Sequence, residues 1–323
     1  MTALVTGGTG VLGAEVVRAL LARGQPLIAV SARGDSAMLG ELRGQVPLER
    51  CDIRDAARLE HLIRRTRAEL VIHLAALMPA TCRERPAEAV EVNVAATAGL
   101  YGVARRAGVA RFVYASSKSA YGPELPVEHG PPDYRPIPEE LPARPVWMYD
   151  VTKHAGELVI EAQRRLGGPE ATSLRFATIY GPGKGMRYGG ASVLSNLIES
   201  LLEHGQATLE RGGDQVDDVI WVGDAAEGVV RAALHAGPIR TLYNIGSGHG
   251  IAIRDFITRA AVGRPGSRVE VGPGLRYMGE EPTYGVLETT RARLDFGLTI
   301  DPDPARGVAL FERRLAAIRA AAR

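Results

Sequence analysis

Short apolar runs alternate with longer amphipathic stretches through the first half of the chain. ALVTG (3–7), PLIAVS (26–31), VPLERCD (46–52), AELVIHLAA (68–76), ARFVYASS (110–117) and ATSLRFATIYG (171–181) are largely apolar runs of strand length. Between them, residues 11–24, 56–66, about 86–106 and about 146–166 repeat apolar positions at helical spacing. Apolar strands separated by helix-length segments predict a parallel sheet covered on both faces, hence an α/β fold.

Past Gly181 the rhythm loosens. GPGKGMRYGG (181–190) reads as a glycine-rich loop, helical spacing returns at about 191–204, 222–235 and 305–321, and 241–247 and 284–289 read as short strands. These segments predict a smaller, partly interleaved second domain. It occupies mainly 181–323, with the stretch near 215–250 returning to a core of 1–180. The proline-rich segment 123–145 suits an active-site loop better than a regular element.

Composition narrows the function classes. At 323 residues and 46% apolar, the chain can bury a large core. A net charge of +2 gives no field that would draw nucleic acid or a membrane surface. No stretch approaches a transmembrane span and no charged leader opens the chain, so a soluble cytoplasmic protein is expected. Cys51 and Cys82 form no disulfide framework and no metal spacing. The acidic loop ERGGDQVDD (210–218) lacks the regular spacing of a calcium site, so no metal is expected. The only lysines are Lys118, Lys153 and Lys184.

The first turn carries the nucleotide signal. TGGTGVLG (6–13) places Gly7, Gly10 and Gly13 after a strand and at the start of a helix. Such glycines permit a tight turn and close approach of a dinucleotide pyrophosphate to helix N–H groups, here with Thr9, Val11 and Leu12. The second strand ends Ser31-Ala32-Arg33, with no acid to hold an adenosine ribose. Arg33, helped by Ser31, could instead meet a 2′-phosphate, which favours NADP over NAD. After the third strand, Asp52 and Ile53 are candidates for the adenine side, with a helix cap at Asp52 or Asp55 the simpler alternative.

The catalytic signal is WMYDVTKHAGE (147–157), where Tyr149 and Lys153 stand four apart and share a helix face. The ammonium favours the phenolate, and Ser117 in YASSKSAYG (114–122) could hold a substrate oxygen. A phenol that moves a proton beside a nicotinamide that moves a hydride would make an oxidoreductase centre.

In this order, VTGGTGVLG, CDIRD, VIHLAA, YASSKSAYG, YDVTK, LRFATIYGPG, VGDAAEGV and YNIGSG resemble the extended short-chain dehydrogenase/reductases, specifically the NAD-dependent epimerase/dehydratase group. The resemblance implies a Rossmann-type doubly wound parallel sheet with a small C-terminal substrate domain. It implies Tyr149 as acid/base, Lys153 as its partner and ribose holder, and Ser117 as the polarising hydroxyl. Asn93, Leu74, Ala75, Ala76 and Phe176 join the cofactor side. A homodimer formed through the helices at about 86–107 and 147–166 is also implied.

Departures from the family pattern fall on the substrate side, where Met78, Lys118, Thr178, Asp217 and Arg276 are the candidates. Asp217 stands where many sugar-nucleotide enzymes carry an arginine that grips phosphate, and a carboxylate there would repel a diphosphate. Thr178 replaces an asparagine. Arg276 has Glu280 and Glu281 close behind it. Lys118-Ser119 replaces the acidic pair of dehydratases. The expected activity is therefore reversible alcohol/ketone oxidoreduction on a small polar substrate such as a sugar, a sugar acid or a natural-product intermediate. Nucleotide-sugar 4-epimerisation is the alternative and 4,6-dehydration a weaker one.

Overall fold

Six strands form in succession along the first half: β1 (Thr2–Thr6), β2 (Leu27–Ser31), β3 (Leu48–Arg50), β4 (Ala68–His73), β5 (Arg111–Ala115) and β6 (Glu170–Phe176). The computed structural model describes residues 1–184 and 192–322. In the sheet the strands run in the order β3-β2-β1-β4-β5-β6, with the later strand Leu242–Ile245 on the far edge, all parallel. The central strands are buried on both faces, which is why their sequences are continuously apolar rather than alternating. Helices α1 (Val11–Leu21) and Val222–Leu234 pack together on one face. On the other lie α2 (Ala56–Thr66), α5 (Ala96–Arg106) and α6 (Met148–Arg164), around Leu59, Leu62, Leu100, Tyr101 and Phe112.

Several expected elements differ in detail. The helix expected over 86–106 is preceded by a short α3 (Pro79–Glu84) and is itself divided. It comprises α4 (Pro86–Val90), a π-helical turn over Glu91–Ala95, and α5. The expected strand 171–181 breaks at Ala177, and its second half (Thr178–Tyr180) leaves the main sheet to pair with Val219–Trp221. The strand expected at 284–289 is only a single bridge between Ile137 and Leu287. Its apolar residues serve packing, since Val286 and Leu287 are buried. Helices Ile253–Ala260 and Thr290–Phe296 form where no element was expected. The glycine-rich loop expected over 181–190 lies outside the described residues from 185 onward.

All the strands of the sheet end on one edge. The chain order reverses between β1 and β4, and in doubly wound sheets ligands bind at the crevice opened there.

Candidate active site

The turn after β1 is shaped by contacts that only glycine allows. Gly7 sits at φ +68°, and a Cβ on it would lie 2.8 Å from the Ala75 nitrogen. A Cβ on Gly13 would lie 2.0 Å from the Gly7 oxygen. The turn is thus pressed against Leu74 and Ala75, which continue from β4 across the reversal point. Helix α1 begins at Val11 with Gly10 as its N-cap and no side chain capping it. Its first N–H groups are therefore left for a ligand. A dinucleotide pyrophosphate fits this cradle, with Gly7, Gly10, Val11, Leu12 and Gly13 around it.

On the ribose side, the Ser31 hydroxyl accepts from Thr9 Oγ1 at 2.9 Å and from the Gly34 N–H at 3.2 Å. Ser31 and Thr9 thus brace the turn. Arg33 is exposed and makes no ion pair among the described residues. Arg50 lies across the same turn, donating to the Ala32 carbonyl at 3.3 Å. Asp52 is held by Arg54 through two bonds of 2.7 and 3.0 Å, and hydrogen bonding from Arg54 keeps its carboxyl below the usual range. Asp55, not Asp52, caps α2 through the Arg58 N–H at 3.0 Å. Ile53 and Phe176 are buried at the strand ends.

The three residues expected to be catalytic stand on α6, for Tyr149 and Lys153, and just past the end of β5, for Ser117. Lys153 is 3% exposed, and its Nζ donates to the Ala115 carbonyl at 2.7 Å. That nitrogen lies 5.7 Å from the Tyr149 ring centre. Burial pulls the Lys153 ammonium down to about 8. It is therefore a cation whose charge a neighbouring phenolate would stabilise. Ser117 caps the short turn Lys118–Tyr121 by accepting from the Ser119 N–H at 3.2 Å.

Behind the trio lies a network that motif reading missed. Arg175 binds Glu157 through two bonds of 2.8 and 2.6 Å, and Ser116 and His154 also reach Glu157. Burial pushes the Glu157 carboxyl up, but hydrogen bonds from Arg175, His154 and Ser116, together with the Arg175 charge, outweigh it and hold the carboxyl below its usual range. Glu157 continues the spacing of Tyr149 and Lys153 by four residues, and an arginine near the end of the otherwise buried strand β6 was the second available signal. Asn93 lies in the π-helical turn, where its amide accepts from the Leu77 N–H at 2.7 Å and donates to the Leu77 carbonyl and Thr152. The amide thus braces the chain after β4. His73 is fully buried, bonded to Thr6 and Thr97, and burial depresses it to about 3.

With this geometry in place, known proteins supply the comparison. The profile of the NAD-dependent epimerase/dehydratase family matches residues 3–246. The chain belongs to the NAD-dependent epimerase/dehydratase family. A UDP-glucose 4-epimerase of Mycolicibacterium smegmatis is 30% identical over 318 residues, covering 96% of each chain. A dTDP-glucose 4,6-dehydratase of Streptomyces griseus is 30% identical over 322 residues, covering 95% of this chain and 91% of that one. A Thermus thermophilus UDP-glucose 4-epimerase in complex with NAD superposes with a TM-score of 0.78 at 27% identity. That match covers 98% of this chain and 99% of the other.

Within this family frame the substrate side holds corrections to the sequence reading. Asp217 was expected to face a substrate, but it is fully buried. Its carboxylate is paired with Lys118 Nζ and accepts from Thr178 Oγ1 at 2.7 Å and Tyr277 at 3.1 Å. It also accepts the N–H groups of Asp218 and Gly285 at 3.0 and 3.2 Å. With five donors it has no acceptor capacity to spare. Lys118 and Thr178 are spent on the same carboxylate rather than directed at a ligand. Arg276 is exposed, at φ +63°, and paired with Glu280. Met78 is half-buried and leads into α3. Among the described residues, no group of three or more His, Cys, Asp or Glu is arranged to hold a metal. No described helix is long and apolar enough to cross a membrane.

Proposed function

We propose that the protein is an NAD(P)-dependent dehydrogenase/reductase. It would interconvert an alcohol and a ketone in a small polar substrate such as a sugar, a sugar acid or a natural-product intermediate. The observation that carries this reading is the Lys118–Asp217 pair. The two residues nearest the family's diphosphate and dehydratase positions neutralise each other in the interior.

In the oxidative direction Tyr149 accepts the carbinol proton while Ser117 donates a hydrogen bond to the same oxygen. Lys153 stabilises the phenolate and would hold a ribose hydroxyl of the bound cofactor. A bound nicotinamide supplies the two-electron acceptor or donor for the carbinol hydrogen. In the reductive direction Tyr149 returns the proton to the ketone oxygen. The buried Arg175–Glu157 pair holds α6 against β6, so that this helix presents Tyr149 from a fixed platform.

Nucleotide-sugar 4-epimerisation is the second reading, favoured by the full-length likeness to the mycobacterial epimerase. It uses the same proton transfer twice. A panel of sugar nucleotides and small alcohols, run with both cofactors, separates the two readings. Net cofactor reduction by a small alcohol supports the first, and UDP-sugar interconversion without net reduction supports the second.

For the cofactor, the unpaired Arg33 favours NADP, whereas the Thermus relative was crystallised with NAD. For assembly we propose a homodimer. Trp147, Val151 and Leu158 lie on one outward face of α6, each at least 40% exposed, with Val90 exposed at the end of α4. Two unpaired thiols, Cys51 and Cys82, suit a reducing cytoplasm.

A further inference from the structure

Between β2 and β3 the chain leaves the sheet over residues 32–47, and its first residues form the turn that would meet the adenosine ribose of a bound dinucleotide. That turn touches the glycine cradle directly. The Ser31 hydroxyl accepts from Thr9 Oγ1 at 2.9 Å and from the Gly34 N–H at 3.2 Å. Asp35 then accepts the Ala37 N–H at 2.9 Å and leads into a 3-10 turn, Ala37–Leu42, whose Met38 and Leu39 are buried. None of the described strands pairs with this turn, so its position has to be set by other contacts.

Those contacts come from the other end of the chain. The C-terminal helix, Pro304–Ala322, packs along the 3-10 turn. Gly40 sits at φ +55°, and a Cβ on it would lie 3.5 Å from the backbone and the methyl group of Ala317. Arg43 donates to the Ala321 carbonyl at 2.7 Å. Beside this contact Arg314 pairs with Glu15 at 3.0 Å and with Glu41 at 3.5 Å, and Arg18 pairs with the same two carboxylates. Glu15 and Arg18 belong to α1, the helix that opens on the glycine cradle. The cluster therefore ties the cradle helix, the chain after β2 and the C-terminal helix together. Charges joined in such a network hold a geometry better than one exposed pair does.

We infer that the C-terminal helix is a positioning element for the cofactor. Through Ala317, Arg314 and the Arg43 contact it fixes the turn that carries Ser31 and Arg33, and so sets affinity for the adenosine half of the dinucleotide. This rests on the reading of that turn as part of a nicotinamide-dinucleotide site, and it goes beyond that reading by extending cofactor recognition to the last helix of the chain. A turn that is only fractionally in its binding position weakens the apparent affinity by that fraction.

The test titrates the full chain by calorimetry with NADP, NAD and ADP-ribose, which lacks the nicotinamide. Ala317→Leu crowds the Gly40 backbone and should weaken the dinucleotides and ADP-ribose alike, by about tenfold. Arg314→Ala should weaken them by about threefold or more, and Arg314→Lys, which keeps the charge, should restore most of the loss. The Arg314 variants also cover the case in which Ala317→Leu fails to fold. Glu312 lies on the same helix but pairs with Arg264 at 2.8 Å, so Glu312→Gln serves as the control and should stay within about twofold of the wild type. Unchanged affinities in the folded Ala317 and Arg314 variants overturn the inference and leave the cofactor reading standing. So does a loss as large in Glu312→Gln, or a loss confined to the whole dinucleotides with ADP-ribose unaffected. A wild-type chain that binds neither dinucleotide nor ADP-ribose overturns the inference and the cofactor reading together.

Discussion

At the scale of single residues, most of the chemistry is set by what burial does to charge. Tyr149→Phe removes the proton carrier and should lower turnover by about 10²–10⁴-fold while leaving cofactor affinity close to normal. Steady-state rates and a cofactor titration check both halves. Asp150 carries a pH signature. Its carboxyl keeps a proton up to about 7 in the folded chain, against an ordinary 3.8. Between those values the folded chain binds more protons than the unfolded one, so this group's contribution to stability falls as pH rises. Asp150→Asn should therefore match the wild type in thermal midpoint near pH 4 and exceed it by about 2 °C or more near pH 8. Equal differences at both ends would remove Asp150 as the titrating group. The placement of Tyr149 and Lys153 on one helix and of Ser117 past a strand end is legible in the sequence, because spacing and apolar runs encode both. The role of Asp217 was not legible. Four of its five donors come from segments far apart in the chain, and only folding shows that they converge.

At the scale of elements, the first turn and the catalytic helix are the pieces whose geometry matters most. Gly13→Ala would drive a methyl group into the Gly7 carbonyl, so the turn must open. Cofactor affinity should fall by about tenfold or more, measured by titration, because the helix N–H groups would be moved from the pyrophosphate. Removing Glu157 leaves Arg175 as a buried charge without its partner. Glu157→Leu should cost about 3–5 kcal/mol of stability, measured by denaturant unfolding. The six successive strands could be read in advance because apolar runs of strand length alternate with helix-length segments. The division of 86–106 could not. Its apolar spacing continues through Glu91–Ala95, while the π-helical turn goes with a long-range contact, the Asn93 amide reaching back to Leu77, that spacing does not encode. The short strands Gln206–Leu209 and Arg268–Val271 were hidden too, since each is too short and too polar to stand out before they pair.

At the scale of the whole molecule, the sheet order brings the glycine turn after β1 and the chain after β4 and β5 to one edge. The outward apolar face of α6 is the natural place for a second copy. Leu158→Glu should shift the chain from dimer to monomer by sedimentation, and an unchanged mass would exclude this face. The central claim is net oxidoreduction of a small polar substrate by the Tyr149 centre. Its most direct measurement is the near-ultraviolet absorbance of the nicotinamide during turnover, with small polar alcohols or UDP-glucose as substrate. Lasting NADP or NAD reduction with a small alcohol, abolished in Tyr149→Phe, is the expected result. Interconversion of UDP-glucose and UDP-galactose with no lasting absorbance change, and no reduction by any small alcohol, would contradict it.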